Sequence, residues 1–449
     1  MATPLYGRLI GPMHIKTLSL AVLVAAAFVH PAQAASGWAS PPEAPARASG
    51  AATGAATGAQ VETTLSAAWG KALAANPGLQ AARHGAEASS GAVLQSQART
   101  NPELAYSQED TRSSSRSSTV QLNQLVELGG KREARIQVAE RERDVANSAV
   151  LEAKVALRFQ LVSQFNELLL AQQRVDYAAK THALAQQSAD AAARRVEAGK
   201  VPPLEASRAQ VAQANALLEL NQARSNVLVA QQNLAALWGG QAAEVGIATG
   251  DFSAVAEPPN FDDIDALLNS APGIATARLA LEQSRAASNL ERSKRVQDLT
   301  VSLGVKRAKE VGRNQIVFGV SIPLPLFDSN EGNQLQALRK VDQAEQHLQD
   351  VRLQIQTQVF AARQQLLSSN SQVQLLRSQV VPTAQSAYEL AVRGFSLGKF
   401  SFLDALDAQR TLFDSQRQLL EQLSASHKAR AEIDRLLGSP TVDLAVTGI

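Results

Sequence analysis

Two stretches of this 449-residue chain repeat one another at a fixed distance, so the fold must be built from two copies of one unit. VEAGKVPPLEASRAQ, from Val196 to Gln210, aligns with FSLGKFSFLDALDAQ, from Phe395 to Gln409, at an offset of 199 residues. The alignment pairs Gly199 and Lys200 with Gly398 and Lys399, and Leu204 with Leu403. The same offset carries Leu237-Trp238-Gly239 onto Leu436-Leu437-Gly438. Nearer the start, NPGLQAARHGAEAS from Asn76 matches APGIATARLALEQS from Ala271 at an offset of 195, so about four inserted residues separate the two registers. The organisation is then a first repeat over 61–240, a linker over 241–260, a second repeat over 261–438 and a C-terminal tail over 439–449.

Ahead of the repeats, Arg8, His14 and Lys16 precede an apolar run from Leu18 to Val29 that ends in Ala32-Gln33-Ala34. This pattern predicts a secretory signal peptide over 1–34, and a start at Met13 keeps enough of its basic region. The run is shorter than the roughly 20 residues a membrane-spanning helix needs. Residues 35–60, rich in Ala, Gly, Pro, Ser and Thr, predict a flexible low-complexity leader. The chain has no cysteine, which excludes a disulfide framework, a thiolate metal site and a lipidated cysteine. A net charge of +2 gives no reason to expect a nucleic-acid partner. With only 4% aromatic residues, the composition suits long helices better than a bulky core.

Periodicity predicts the same order of elements in both copies. In the first, a short helix capped by Thr64 precedes a second running from Pro77 towards Arg99. Leu104 and Tyr106 then alternate with polar neighbours, a polar loop spans Glu109 to Ser117, and an extended run from Ser118 to Leu128 ends at Gly129-Gly130. The 68 residues from Lys131 to Ala198 contain neither proline nor glycine and predict one helix about 100 Å long. A turn at Gly199 to Pro203 leads into a returning helix from Leu204 to Leu237. The second copy predicts a helix from Phe261, a strand from Asp298 to Lys306, a charged loop RAKEVGRN, and a strand in which Ile316, Phe318, Val320 and Ile322 alternate. IPLPLFDSN closes that strand, because its prolines cannot take central ladder positions. A long helix from Asn333 is interrupted only at Pro382, and a final helix spans Ser401 to Leu437. In that helix Leu406, Phe413 and Leu420 recur every seven residues, as coiled packing along a neighbour requires.

Four strands cannot close a barrel, and an open sheet in a bilayer leaves bare edges. Membrane strands would require several chains to pool them. The other reading of the residues is a small soluble sheet beside a coiled coil, as in a soluble periplasmic adaptor.

The duplicated helix-strand-strand-helix unit, the segment YELAVRGFSLGKFSFLDALDAQR from Tyr388 to Arg410, and LVELGGKREAR after the second strand resemble the TolC-type outer membrane efflux proteins. The resemblance covers Val61 to Leu437, and the last of these segments is most similar to the heavy-metal, cobalt-zinc-cadmium cation efflux subgroup. It implies a mainly α chain with a membrane β-barrel contribution, in which a homotrimer pools four strands per chain into a 12-stranded barrel. The barrel continues into a long α-helical periplasmic tunnel. It implies an exit duct in the outer membrane of a Gram-negative bacterium, passively conducting divalent heavy-metal cations. The implied partners are a periplasmic adaptor (membrane fusion) protein, an inner-membrane pump of the resistance-nodulation-division type and outer membrane lipid. A duct for drugs or secreted proteins fits the same hairpin motif.

Asp404 and Asp407 match the aspartates of the resembled motif, and a spacing of three puts them on one helix face. Threefold symmetry would stack them as two carboxylate rings at a pore constriction, favouring cations. The residues also allow plainer roles: a first-turn acid for Asp404, a solvated position for Asp407. The first copy has Glu205 and Arg208 at these positions, so only Glu205 keeps the acid. Gly199, Lys200, Val201, Leu397, Gly398, Lys399 and Phe400 form the hairpin tips, which the resemblance makes the adaptor-contacting surface. His84, His182, His347 and His427 show no metal-binding spacing, and no cofactor site is expected. The chain also lacks a nucleophile elbow, a phosphate loop and a zincin helix, so no enzyme activity is expected.

Overall fold

A computed structural model of the chain describes residues 62–438 apart from 111, 113 and 114. The expected signal peptide, leader and tail lie outside the described residues. The first repeat comprises β1 (Glu62–Thr63), α1 (Leu65–Ala75), α2 (Pro77–Gln97), β2 (Glu103–Glu109), β3 (Ser117–Val126), α3 (Lys131–Glu197) and α4 (Pro203–Ala235). After the short β4 (Ile247–Ala248), the second comprises α5 (Phe261–Leu268), α6 (Pro272–Ser293), β5 (Leu299–Ala308), β6 (Arg313–Ser321), α7 (Glu331–Leu375), α8 (Val381–Ser396) and α9 (Phe402–Leu437).

Local chemistry sets these boundaries. The Thr64 hydroxyl accepts the Ala67 N–H at 3.2 Å and starts α1. The Asn76 side chain accepts the Leu79 N–H at 2.8 Å to start α2, and its amide donates to the Leu237 carbonyl at 2.8 Å. One residue thus caps a helix and ties the start of the repeat to its end. With no helix breaker inside it, α3 runs unbroken for 67 residues, about 100 Å. Its counterpart in the second copy is divided: a π-helical turn at Leu376–Val380 separates α7 from α8 just before Pro382. Proline lacks an N–H and crowds the carbonyl four residues back, so the ladder loosens ahead of the ring.

Two details differ from the pattern read in the sequence. The charged loop RAKEVGRN shrinks to residues 309–312, because Arg307 pairs with Asn314 and Ala308 with Arg313 in the β5–β6 ladder. Charged side chains end an apolar alternation without preventing backbone pairing. In addition, β1 and β4 pair in parallel, Thr63 beside Ala248, a contact too short to have a periodicity. The stretch between the repeats also contributes Val245, Ala248 and Phe252 to a core with Ala68, Phe165, Leu168 and Leu234.

The four-stranded sheet has the order β2-β3-β5-β6, antiparallel throughout, and β3 against β5 joins the two copies. Its register aligns Leu104, Leu122, Leu303 and Phe318 in one row and Tyr106, Val120, Val305 and Ile316 in the next. These side chains occupy one face and are exposed, Ile316 at 83% and Phe318 at 68%. The other face carries Ser107, Thr119, Lys306 and Gln315 in one row, and the Lys306 ammonium meets the Glu109 carboxylate at 2.7 Å. The sheet is therefore apolar on its open side and polar on the side where Ser117 and Thr119 are buried.

Gly304 makes the join between the copies possible: a Cβ there would stand 2.6 Å from the Val120 carbonyl oxygen and 2.6 Å from Gln121 Cβ. Gly304→Ala should destabilise the protein by about 1–3 kcal/mol through overpacking. Gly319→Ala, whose methyl would lie 3.6 Å from Ser302 Cβ, should change stability by no more than about 0.5 kcal/mol. Thermal unfolding followed by circular dichroism compares the two.

Candidate functional site at the hairpin tips

The ends of both long hairpins are closed by the same backbone device. At the first, the Lys200 N–H donates to the Arg195 carbonyl at 2.8 Å and the Gly199 N–H to the Val196 carbonyl at 2.9 Å. At the second, Lys399 donates to Gly394 at 2.8 Å and Gly398 to Phe395 at 3.0 Å. This pair of bonds needs a left-handed residue, and Gly199 and Gly398 supply it at φ +65° and +73°. The turn leaves Lys200, Leu397, Lys399 and Phe400 exposed and Val201 half-buried.

Arg195, which the sequence reading did not single out, links the two tips. Its guanidinium donates to the Phe395 carbonyl at 2.8 Å and lies 4.4 Å from the centre of the Phe395 ring. That carbonyl belongs to the C-terminal turn of α8, where a cation is favoured. Gly394, the residue before Phe395, also carries a role: a Cβ there would lie 2.0 Å from the Phe400 ring, so glycine lets the ring rest against α8. Between the hairpins runs a groove of about 760 Å³, lined by Ala191 of α3, Tyr388 and Val392 of α8, and Leu406 and Gln409 of α9. Arg194, Arg195, Lys200 and Arg393 outnumber Glu389 in its lining and make it basic.

The three acids expected at a constriction are placed differently from one another. Asp404 completes a capping box with Ser401, accepting the Ser401 N–H and hydroxyl, each at 2.8 Å. Its own N–H donates to the Ser401 oxygen at 3.2 Å. These bonds hold the Asp404 carboxyl below the ordinary aspartate range. The Ser-x-x-Asp spacing is that of a capping box. Asp407 is exposed one turn further along, and Asp414 extends the exposed line of α9 to an ion pair with Arg417 at 3.3 Å. Ala405 and Gln409 on the opposite side are buried, so Asp404 and Asp407 point away from the inter-hairpin groove. Glu205 stands half-buried in the first turn of α4 with one carboxylate oxygen lacking a hydrogen-bond partner.

His427, in the second half of α9, lies apart from this region. His427 packs on Phe252 with ring centres 5.1 Å apart, its Nε2 donates to the Phe252 carbonyl at 3.0 Å, and burial pushes its pKa down. No group of three or more His, Asp or Glu among the described residues is arranged to hold a metal ion. No helix among them is long and apolar enough to cross a membrane.

The chain matches the outer membrane efflux protein family over residues 68–240 and 264–439, one match for each repeat. It is 40% identical to the cobalt-zinc-cadmium resistance protein CzcC of Cupriavidus metallidurans, over 84% of this chain and 90% of that one. It is 29% identical to the nickel-cobalt-cadmium resistance protein NccC of Alcaligenes xylosoxydans xylosoxydans over 54% of each chain. In fold it is similar to the outer membrane protein VceC of Vibrio cholerae, with a TM-score of 0.72 at 19% identity, covering 84% of this chain and 96% of that one. The doubled hairpins, the exposed apolar sheet and these matches lead to one assignment: the chain belongs to the outer membrane efflux protein family.

Proposed function

We propose that three copies of this chain pool their sheets into a 12-stranded barrel whose helices continue as a periplasmic tunnel, forming the exit duct of a tripartite efflux system for divalent heavy-metal cations. One observation carries the reading: a four-stranded sheet, apolar on its open face and unpaired at β2 and β6, stands on hairpins whose long arm, α3 in the first copy, spans about 100 Å. The strands at the two edges run in opposite directions, so β6 of one copy suits antiparallel pairing with β2 of the next. The cargo follows from the metal-resistance relatives, and a passive duct needs only weak sites along its path. The adaptor meets the tips at Gly199 to Val201 and Leu397 to Phe400, with a pump of the resistance-nodulation-division type behind it.

The asymmetry of the hairpins supports a gate in the second copy. It carries Asp404 and Asp407 and is interrupted by the π-helical turn, and Arg195 binds it to the continuous first hairpin. Three chains would bring Asp404 and Asp407 together as stacked rings at the constriction, with Glu205 behind them.

In a host without another such duct, deleting the gene should lower tolerance to zinc, cobalt and cadmium, read as growth inhibition. Unchanged tolerance would remove the metal cargo. Neutralising both acids, Asp404→Asn with Asp407→Asn, should raise conductance or weaken cation preference in planar bilayers; an unaltered channel would take both out of the constriction. The Asp404 carboxyl is depressed in the folded state, so its cap contribution is complete above the unfolded aspartate pKa of about 4 and is lost as pH falls through the lower folded value. The Ser401–Asp404 cap should accordingly be complete above about pH 4 and weaken only in stronger acid, read from helicity by circular dichroism.

A further inference from the structure

We infer that the Pro323-Leu324-Pro325-Leu326-Phe327 segment between β6 and α7 is part of the lipid-contacting surface, where Leu324, Leu326 and Phe327 meet acyl chains of the membrane's periplasmic leaflet. The inference rests on the barrel reading above and carries its outer face beyond the hydrogen-bonded sheet.

The first argument is one of height. Within the ladder, the exposed apolar residues of β6 are Ile316, Phe318 and Val320. At 3.3 Å per residue they cover about 13 Å of strand, or about 10 Å along the membrane normal at the usual tilt. An outer membrane barrel presents an apolar band about 25 Å tall. Ile322 and Leu324 continue the alternation past the last paired residue, 55% and 74% exposed. They bring the apolar run to about 26 Å of chain, about 20 Å along the normal. Leu326, 75% exposed, and Phe327, fully exposed, supply the remainder.

The register carries the same depth across the sheet. Thr300 faces both Leu125 and Ser321, so Ile322 and Leu324 lie level with Val126 and Leu128, the exposed apolar residues where β3 gives way to α3. In the first copy that junction is held by Asp298, whose carboxylate accepts the Leu128 N–H at 3.0 Å and pairs with Lys131 at 2.7 Å. The second copy's junction projects instead.

Its backbone suits a surface poor in water. Pro323 and Pro325 have no N–H, and the Leu326 N–H donates to the Leu324 carbonyl at 2.8 Å, so the segment presents few unpaired donors outside the ladder. The polarity then changes abruptly. Asp328 accepts the Asn330 N–H at 2.9 Å, and the Asn330 amide donates to the Glu291 carbonyl at 3.0 Å, fastening the segment to the end of α6. There Arg292, Lys294 and Arg295 are exposed. An apolar patch ending in an aromatic residue and bordered by cations matches acyl chains below phosphate headgroups.

The absence of cysteine makes the test direct. Single variants Leu324→Cys and Phe327→Cys of the full chain, carrying a nitroxide and reconstituted in phosphatidylethanolamine–phosphatidylglycerol vesicles, are compared with Phe318→Cys on the apolar face and Gln315→Cys on the polar face. Collision with dissolved oxygen and with a water-soluble nickel chelate is read by electron paramagnetic resonance. The oxygen-to-nickel ratio at 324 and 327 should match that at 318 and exceed that at 315 several-fold. Nickel access like that at 315 would place the segment in water, and exclusion of both probes would place it against another copy; either overturns the inference. If 318 itself reads as aqueous, the barrel reading fails with it.

Discussion

Inside hydrocarbon, a backbone N–H or C=O without a partner costs several kcal/mol, and this requirement governs the rest of the chain's design. The sheet satisfies it at β3 and β5, each paired on both sides, and leaves it unsatisfied along β2 and β6. Duplication alone cannot cure this, because joining two hairpins through β3 and β5 still leaves two outer edges. It halves the number of chains needed to close a wall of given size, and it keeps the two edges running in opposite directions, as in a single hairpin. The same chain can then meet its copies head to tail around a ring, a heterologous contact that closes by rotation.

The two copies keep the geometry of the hairpin tip and diverge where each must do something different. Arg195 and Gly394 occupy corresponding positions, 199 residues apart, and each offers its carbonyl to the same turn. In the second copy glycine leaves room for the Phe400 ring; in the first, the corresponding residue is the smaller Val201, and the position is free to carry a long cation. That cation reaches the other hairpin rather than its own. Two differences on the shared scaffold, Arg195 against Gly394 and Val201 against Phe400, therefore create the packing of one tip and the tie between the two.

Much of this was legible in the sequence because its signals are local or periodic. The unbroken α3 follows from 67 residues without a helix breaker, the sheet's apolar face from Ile316-Phe318-Val320, and the turns from Gly199 and Gly398. The pairing of β1 with β4 was invisible, since two residues have no period and their partner lies far along the chain. The charged loop after β5 was read too long because side-chain polarity reports solvent exposure, whereas the ladder is made by backbone groups. The Asp404 cap has a local signal, the spacing from Ser401, but Arg195 has none: a lone arginine near a helix end is ordinary until a second helix presents a carbonyl to it.

The difference between α3 and the α7–α8 pair gives this tie its mechanical sense. A continuous helix resists bending because every interior N–H is committed to a carbonyl, and distortion must strain several bonds at once. The π-helical turn at Leu376–Val380 already departs from that pattern, and Pro382 removes one donor beyond it. Leu376 and Val373 are nevertheless buried, and Arg377 donates to the Ser253 carbonyl, so the base of the interruption is anchored. Bending at the turn would therefore carry α8 and the tip beyond it. Of the two hairpins, the interrupted one bears the capped acid, and the continuous one holds it through Arg195.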